Sequence, residues 1–315
     1  MATTQVKQGR KGAGRDFVGD IRIMGSSPAA AASLSPIGRG IAEMSLQLLP
    51  VLQTTLDIHQ LIGLFHGHAK QVIHHDSVLY RHPKEGAGVS IGEPGRHSCT
   101  YRLVVEGAAL GEIAFSRSRS FSAPEISLLE CLVCALVYPL RNGLSYKAAM
   151  EEARRDSLTG VYNRGVMEAA LEREVGLAHR YRSPLSLIFM DIDYFKSIND
   201  TYGHTVGDEA IREFARCVNE KIRATDILSR YGGDEFVAIL PNTTLEGADL
   251  LANRIREGMM QSRGFAEMAR GMRITASIGI ASLEGGETAQ HLLDRADRLL
   301  NLAKQAGRDC VRRAS

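Results

Sequence analysis

Two apolar runs of strand length, Ile227–Tyr231 and Phe236–Leu240, are separated by only four residues, Gly232-Gly233-Asp234-Glu235. A gap this short is closed by an antiparallel hairpin, and Gly-Gly supplies the positive φ angles that tight hairpin turns need. The turn also carries two carboxylates. A third run, Leu185 to Met190, is largely apolar and ends directly in acid, Asp191-Ile192-Asp193. Acids at a strand end and at a tight turn make a metal–phosphate site. Mg²⁺ binds through one or two carboxylates plus substrate phosphates, and glycines let phosphates approach the backbone closely. Taken alone, Gly-Gly-Asp-Glu reads better as a plain hairpin turn.

Helical and strand-like segments alternate around these runs, the pattern of an α/β layer fold. Ile211, Phe214, Ala215, Val218 and Ile222 share one helical face. Lys304 and Arg308, four apart, read as two cations on one helix face.

The 315 residues suffice for two domains, and a formal net charge of +2 calls for neither nucleic acid nor membrane as a partner. No apolar run reaches the ~20 residues that span a bilayer, and no signal peptide is read, so the expected compartment is the cytoplasm. Residues 1–35 lack periodicity and are expected to be a disordered tail. From Ile41 a helical pattern begins, with Met44, Leu48, Leu52 and Leu56 on one face and Pro50 breaking it. A second helix is expected over Ile58–Val72. Strands are expected at Ser77–Arg81, Ser98–Glu106 and Leu110–Ser116, and a long helix from about Pro124. On that helix Leu129, Val133, Leu136 and Leu140 form a heptad-like stripe, read either as a dimer seam or as a core-facing side, and Pro139 is expected to kink it. Cys131 and Cys134 are read as two small buried side chains rather than a metal pair. Histidines 66, 68, 74 and 75 are read as solvated or core residues ahead of metal or haem ligands.

The block before the long helix resembles a GAF-type sensor domain in its element order and in Gly111-Glu112-Ile113-Ala114-Phe115, which looks like such a domain's last strand. The expected organisation is a tail over 1–35, a GAF-like α+β domain of unknown ligand over 36–140, a connecting helix over 141–155, and a catalytic domain over 156–315.

That last region resembles the GGDEF family of diguanylate cyclases, whose fold is a nucleotidyl-cyclase-like α/β sandwich. The resemblance is carried by Asp156-Ser157-Leu158-Thr159-Gly160-Val161-Tyr162-Asn163-Arg164, by Phe189 through Lys196, and by Asn199-Asp200-Thr201-Tyr202-Gly203-His204 with Gly207-Asp208. It continues through Arg230-Tyr231-Gly232-Gly233-Asp234-Glu235-Phe236, Thr275 through Ala281, and Ala303-Lys304-Gln305-Ala306-Gly307-Arg308. Leu300-Asn301 departs from the Tyr usual near the last helix's Ala-Lys.

The resemblance implies condensation of two GTP into cyclic di-GMP by a two-fold homodimer. Asp191, Asp234 and the Ile192 carbonyl would hold Mg²⁺ or Mn²⁺, with Asp234 also the candidate base and Glu235 either assisting a second metal or positioning the turn. Gly232 and Gly233 would admit the phosphates, and Lys196, Lys304 and Arg308 would bind them. Asn199 and Asp208 would read guanine, with His204 in the same loop; the alternative for Asp208 is a helix cap. Arg223-Ala224-Thr225-Asp226 has the family's RxxD spacing for a product-inhibition site, with Arg254 as a partner from a second domain. The competing readings are an inactive GGDEF module that binds cyclic di-GMP or GTP, and a cyclase making a mixed dinucleotide.

Overall fold

The structure, a computed structural model, describes residues 3–7, 16–24, 47–83, 88–262, 264–265 and 274–314. The chain divides into two units, Met1–Met150 and Glu151–Ser315.

The first unit contains β1 (Thr3–Lys7), β2 (Asp16–Met24), a helical stretch at residues 47–52, α1 (Ile58–Val72), β3 (Ser77–Arg81), β4 (Val89–Gly92), β5 (His97–Val105), β6 (Ala108–Arg117) and α2 (Ala123–Ala153). The strands form one sheet in the order β1-β2-β5-β6-β3-β4. The expectation of a disordered tail over 1–35 is corrected at β2, which runs parallel to β5 from Asp16↔Ser98 to Ile23↔Val105. Its period-2 signal is muted because the inward positions are Phe17, Gly19 and Ile21, and only Ile21 is both large and fully buried. The sheet therefore starts before residue 36. The Ala29–Ala32 tract and Met44 lie outside the described residues.

Leu129, Val133, Leu136 and Leu140 on α2 are all fully buried in this unit's own core. The stripe is a core-facing side rather than a dimer seam. Pro139 lies inside one unbroken 31-residue helix. By length and composition alone α2 could cross a membrane, and those same apolar residues are covered by the unit's own sheet and helices. Its start is clasped by Arg117 at the end of β6. That guanidinium, 1% exposed, donates to Glu125 Oε1 at 2.9 Å and Oε2 at 2.7 Å, and to the carbonyls of His74, Arg119 and Ser120. Such pairing is what a buried Arg requires. His66 Nδ1 and His75 Nε2 stand 2.9 Å apart and His75 also bonds the Ile73 carbonyl, so His75 is a packed core histidine and the half-buried His66 is held against it. Cys131 and Cys134 are both half-buried and form no disulfide with each other.

The second unit contains α3 (Arg164–Tyr181), β7 (Leu185–Ile192), α4 (Phe195–Tyr202), α5 (His204–Asn219), β8 (Ile227–Gly232), β9 (Glu235–Pro241), α6 (Leu245–Gln261), β10 (Ala276–Ser282), α7 (Ala289–Gln305) and β11 (Val311–Arg313). The sheet order is β11-β10-β7-β9-β8, with β7 antiparallel to both neighbours. All eight residues of β7 are buried, because helices cover both faces. Strand alternation divides the core accordingly. Ile188, Met190, Phe236 and Ala238 pack with Ile211, Phe214 and Val218 of α5 and Ile255 of α6. Leu187, Phe189, Val237 and Ile239 pack with Met167 and Leu171 of α3 and Leu292 and Leu300 of α7. This is the expected α/β sandwich.

Candidate active site

The hairpin forms as expected, with one difference. Gly233 has φ +50°, while Gly232 keeps a negative φ and closes the ladder opposite Glu235. A two-residue turn with glycine only at its first central position needs one positive φ, not two. A Cβ at either glycine would meet no protein atom within 4 Å, so the space above the turn is open. Asp191 stands directly across the β7/β9 ladder from Glu235, and Asp234 occupies the turn beside them.

The three carboxylates are crowded and partly desolvated. Burial pushes Asp191, 7% exposed, up to about 6; the Lys304 ammonium opposes this, and the charges of Asp234 and Glu235 add to it. Burial also raises Asp234 and Glu235, again against Lys304. Lys304 Nζ lies 2.7 Å from Asp191 Oδ2. Among the described residues no group of three or more His, Cys, Asp or Glu is arranged to hold a metal ion by itself. An open, under-compensated pair of acids beneath a bare glycine turn fits a hard cation that takes its remaining ligands from phosphate and water. Asp193 is already engaged, accepting from Thr275 Oγ1 at 2.7 Å, Ser277 Oγ at 2.6 Å and the Asp309 N–H at 3.0 Å.

Asn199 on α4 packs against Gly207 on α5, where any Cβ would overlap Asn199 Oδ1. That oxygen is buried without a hydrogen-bond partner. His204 and Asp208 are exposed, one turn apart on α5. The cap alternative for Asp208 fails, because α5 starts at His204 with Gly203 at its N-cap. Lys196 is exposed at the start of α4. The shared helix face expected for Lys304 and Arg308 is also corrected. α7 ends at Gln305, and Arg308 lies beyond Gly307 with φ +63°. Its guanidinium stacks on the Tyr194 ring, 4.5 Å from the centroid. At the departure from the family pattern, Leu300 is buried in the core and Asn301 bonds weakly to Asp297.

Two positioning residues were missed as such. Arg230 Nε donates to the Gly233 carbonyl at 2.8 Å, and its Nη1 reaches both Asp156 oxygens at 3.1 Å. Burial works to raise the Asp156 carboxyl, but the Thr159 donors and Arg230 outweigh it and hold it below its usual range. Both residues stand in the quoted motifs, yet nothing in their spacing reveals that they pair across 74 positions.

Arg223 and Asp226 lie in the turn between α5 and β8, where Asp226 Oδ2 accepts the Arg223 N–H at 2.8 Å. Asp226 Oδ1 is buried without a partner. Both line an open cavity of about 490 Å³ with Arg155, Arg212 and Arg216. Arg254 lies on α6 and donates to the Lys221 carbonyl at 2.8 Å.

The family model described as "Diguanylate cyclase, GGDEF domain" matches residues 153–310. Response regulator PleD of Caulobacter vibrioides is 43% identical over 174 residues, covering 55% of this chain and 38% of that protein. Diguanylate cyclase DgcS of Shewanella oneidensis is 36% identical over 177 residues, covering 56% and 58%. A solved structure of the coiled coil and GGDEF domain of DgcB from Caulobacter crescentus, in complex with c-di-GMP, aligns with a TM-score of 0.53 at 29% identity over 61% of this chain and all of that one. The chain belongs to the GGDEF-domain family of diguanylate cyclases. It spans less than two thirds of the length of these curated relatives.

Proposed function

We propose that the protein condenses two GTP molecules into cyclic di-GMP and two pyrophosphates. The observation that carries this reading is the meeting of Asp191, Asp234 and Glu235 at an open glycine turn, with Lys304 held against Asp191. Asp191, Asp234 and the Ile192 carbonyl would hold Mg²⁺ or Mn²⁺, which when bound supplies charge neutralisation at the phosphates. Asp234 takes up the proton of the attacking 3′-hydroxyl, and Glu235 crowds the same edge. Lys196, Lys304 and Arg308 bind the β- and γ-phosphates and stabilise charge on the leaving pyrophosphate. The Asp208 carboxylate accepts from the two donors of the guanine edge, a pair that adenine does not offer, and Asn199 donates to its O6. His204 faces the same nucleotide.

Each domain binds one GTP, so two copies meet with two-fold symmetry, each presenting its 3′-hydroxyl to the other's α-phosphate. Cyclic di-GMP also binds as an inhibitor at Arg223 and Asp226, with Arg254 contributed by the second domain. Support comes from the cavity lined by arginines and from the unpartnered Asp226 oxygen. The first unit is a GAF-like sensor whose ligand sets the geometry of the pair, supported by the position of β6 immediately ahead of the long α2. The protein works in the cytoplasm, where GTP is supplied.

The test is Asp234→Ala in the full chain. Synthesis from GTP is expected to vanish while the unfolding transition is retained; turnover near that of the unaltered protein would contradict the metal and base assignments.

A further inference from the structure

The Lys304–Asp191 contact joins a residue assigned to phosphate with a residue assigned to metal. The ammonium sits 2.7 Å from Oδ2 of Asp191, the most buried of the three crowded carboxylates Asp191, Asp234 and Glu235. The other cations assigned to phosphate are placed differently: Lys196 is exposed at the start of α4, and Arg308 stacks on Tyr194. Desolvated carboxylates need a positive partner, and the last turn of α7 brings Lys304 to them.

A divalent ion would lie about 2.0–2.1 Å from a carboxylate oxygen. Held by either oxygen of Asp191, it would stand within a few ångströms of the ammonium on Oδ2, and the two cations would repel each other and weaken metal binding. Displaced by a metal alone, the Lys304 ammonium would lose its acceptor. Displaced by a metal that arrives with nucleotide, it has the β- and γ-phosphate oxygens to bond.

We propose that Lys304 is the resident counter-ion of the nucleotide-free site, so that a divalent cation binds strongly only together with nucleotide. This rests on the metal and phosphate assignments given under Proposed function. Metal and nucleotide then strengthen each other's binding by the same factor, because coupling between two sites is reciprocal. Lys304 would act twice, first as a stand-in for the metal and then as a phosphate ligand.

The test is binding of Mn²⁺, followed by electron paramagnetic resonance of the free ion, to the full chain with and without a non-hydrolysable GTP analogue. The unaltered protein is expected to bind Mn²⁺ at least about tenfold more tightly when the analogue is present. Lys304→Met keeps the aliphatic stem and removes the charge. It is expected to bind Mn²⁺ alone at least about tenfold more tightly than the unaltered protein, with a smaller further gain from the analogue. Lys304→Arg keeps a cation and is expected to stay weak. Lys304→Gln carries the same expectation as Lys304→Met should the latter fail to fold. If the neutral variants bind Mn²⁺ alone no more tightly than the unaltered protein, or if Lys304→Arg binds as tightly as they do, the counter-ion role is overturned. If the unaltered protein binds no Mn²⁺ even with the analogue, the metal assignment itself falls, and this inference with it.

Discussion

A methyl group on Gly207 would overlap Asn199 Oδ1, so the close approach of α4 and α5 leaves Asn199 only the position it now holds. Gly207→Ala should therefore push the amide out of place and raise the KM for GTP about tenfold, the scale of one lost hydrogen bond. Steady-state kinetics would check this, and an unchanged KM would mean that Asn199 does not touch the base. At Asp156 the effect is indirect. Removing its carboxylate frees Arg230, which braces the Gly233 carbonyl. Turnover of Asp156→Ala should fall about tenfold to a hundredfold, as small misplacements of catalytic groups do, while Mn²⁺ binding in the presence of a GTP analogue is retained. At this scale the positions of Asp191 at a strand end and Asp234 in the adjoining turn were legible from the apolar runs. The Asp156–Arg230 brace was not, because its partners come together only when the strand preceding the signature pairs with the turn that opens the domain. Asp208 could be read as a cap only until the helix start was seen at His204.

Gly279 on β10 lies against the backbone of α7, and an added Cβ would overlap the Ala296 carbonyl and the Leu300 nitrogen. Backbone cannot yield as a side chain can, so Gly279→Ala should cost about 1–3 kcal/mol, the range of an overpacked core. Denaturant unfolding measures it, and a change within error would show that the helix shifts freely. In the first unit, the Arg117 guanidinium holds the Glu125 carboxyl down to about 2, against its ordinary 4.5. An acid lowered by folding contributes stability above its unfolded value and loses it as pH falls towards the folded one. Glu125→Gln should therefore cost about 2 kcal/mol at pH 7 by leaving a buried Arg underpaired. The gap to the unaltered protein should narrow as pH falls from about 4.5 towards about 2. A gap independent of pH over that window would place the stabilisation elsewhere. Elements with strong periodicity were legible, α1 to the residue. β2 was missed because Gly19 interrupts its buried side. The shared face of Lys304 and Arg308 was misread because nothing in a four-residue spacing marks where α7 stops.

Across the second unit, β8 joins the two proposed sites. Its six residues separate Asp226 from the signature turn by roughly 20 Å. Product bound at Arg223 and Asp226 would not compete for the GTP pocket; it would hold two domains apart. Inhibition by cyclic di-GMP should be noncompetitive with GTP. Arg223→Ala should weaken it about tenfold to a hundredfold by removing one charge-assisted contact, with little change in the initial rate. Equal inhibition of both proteins would make Arg223 an ordinary surface charge. The alternation of strands and helices made the second unit legible as an α/β sandwich. The first unit was legible in its elements but not in its role, since the helices and strands of an apolar core carry no chemical signature of one. The most direct measurement is the product itself. The purified full chain is incubated with Mg²⁺ and an equal mixture of GTP and ATP, and the nucleotides formed are identified by mass. Cyclic di-GMP with two pyrophosphates released per molecule is the expected result. GTP left unconsumed, or adenine incorporated as readily as guanine, would contradict the assignment of Asp191, Asp208 and Asp234.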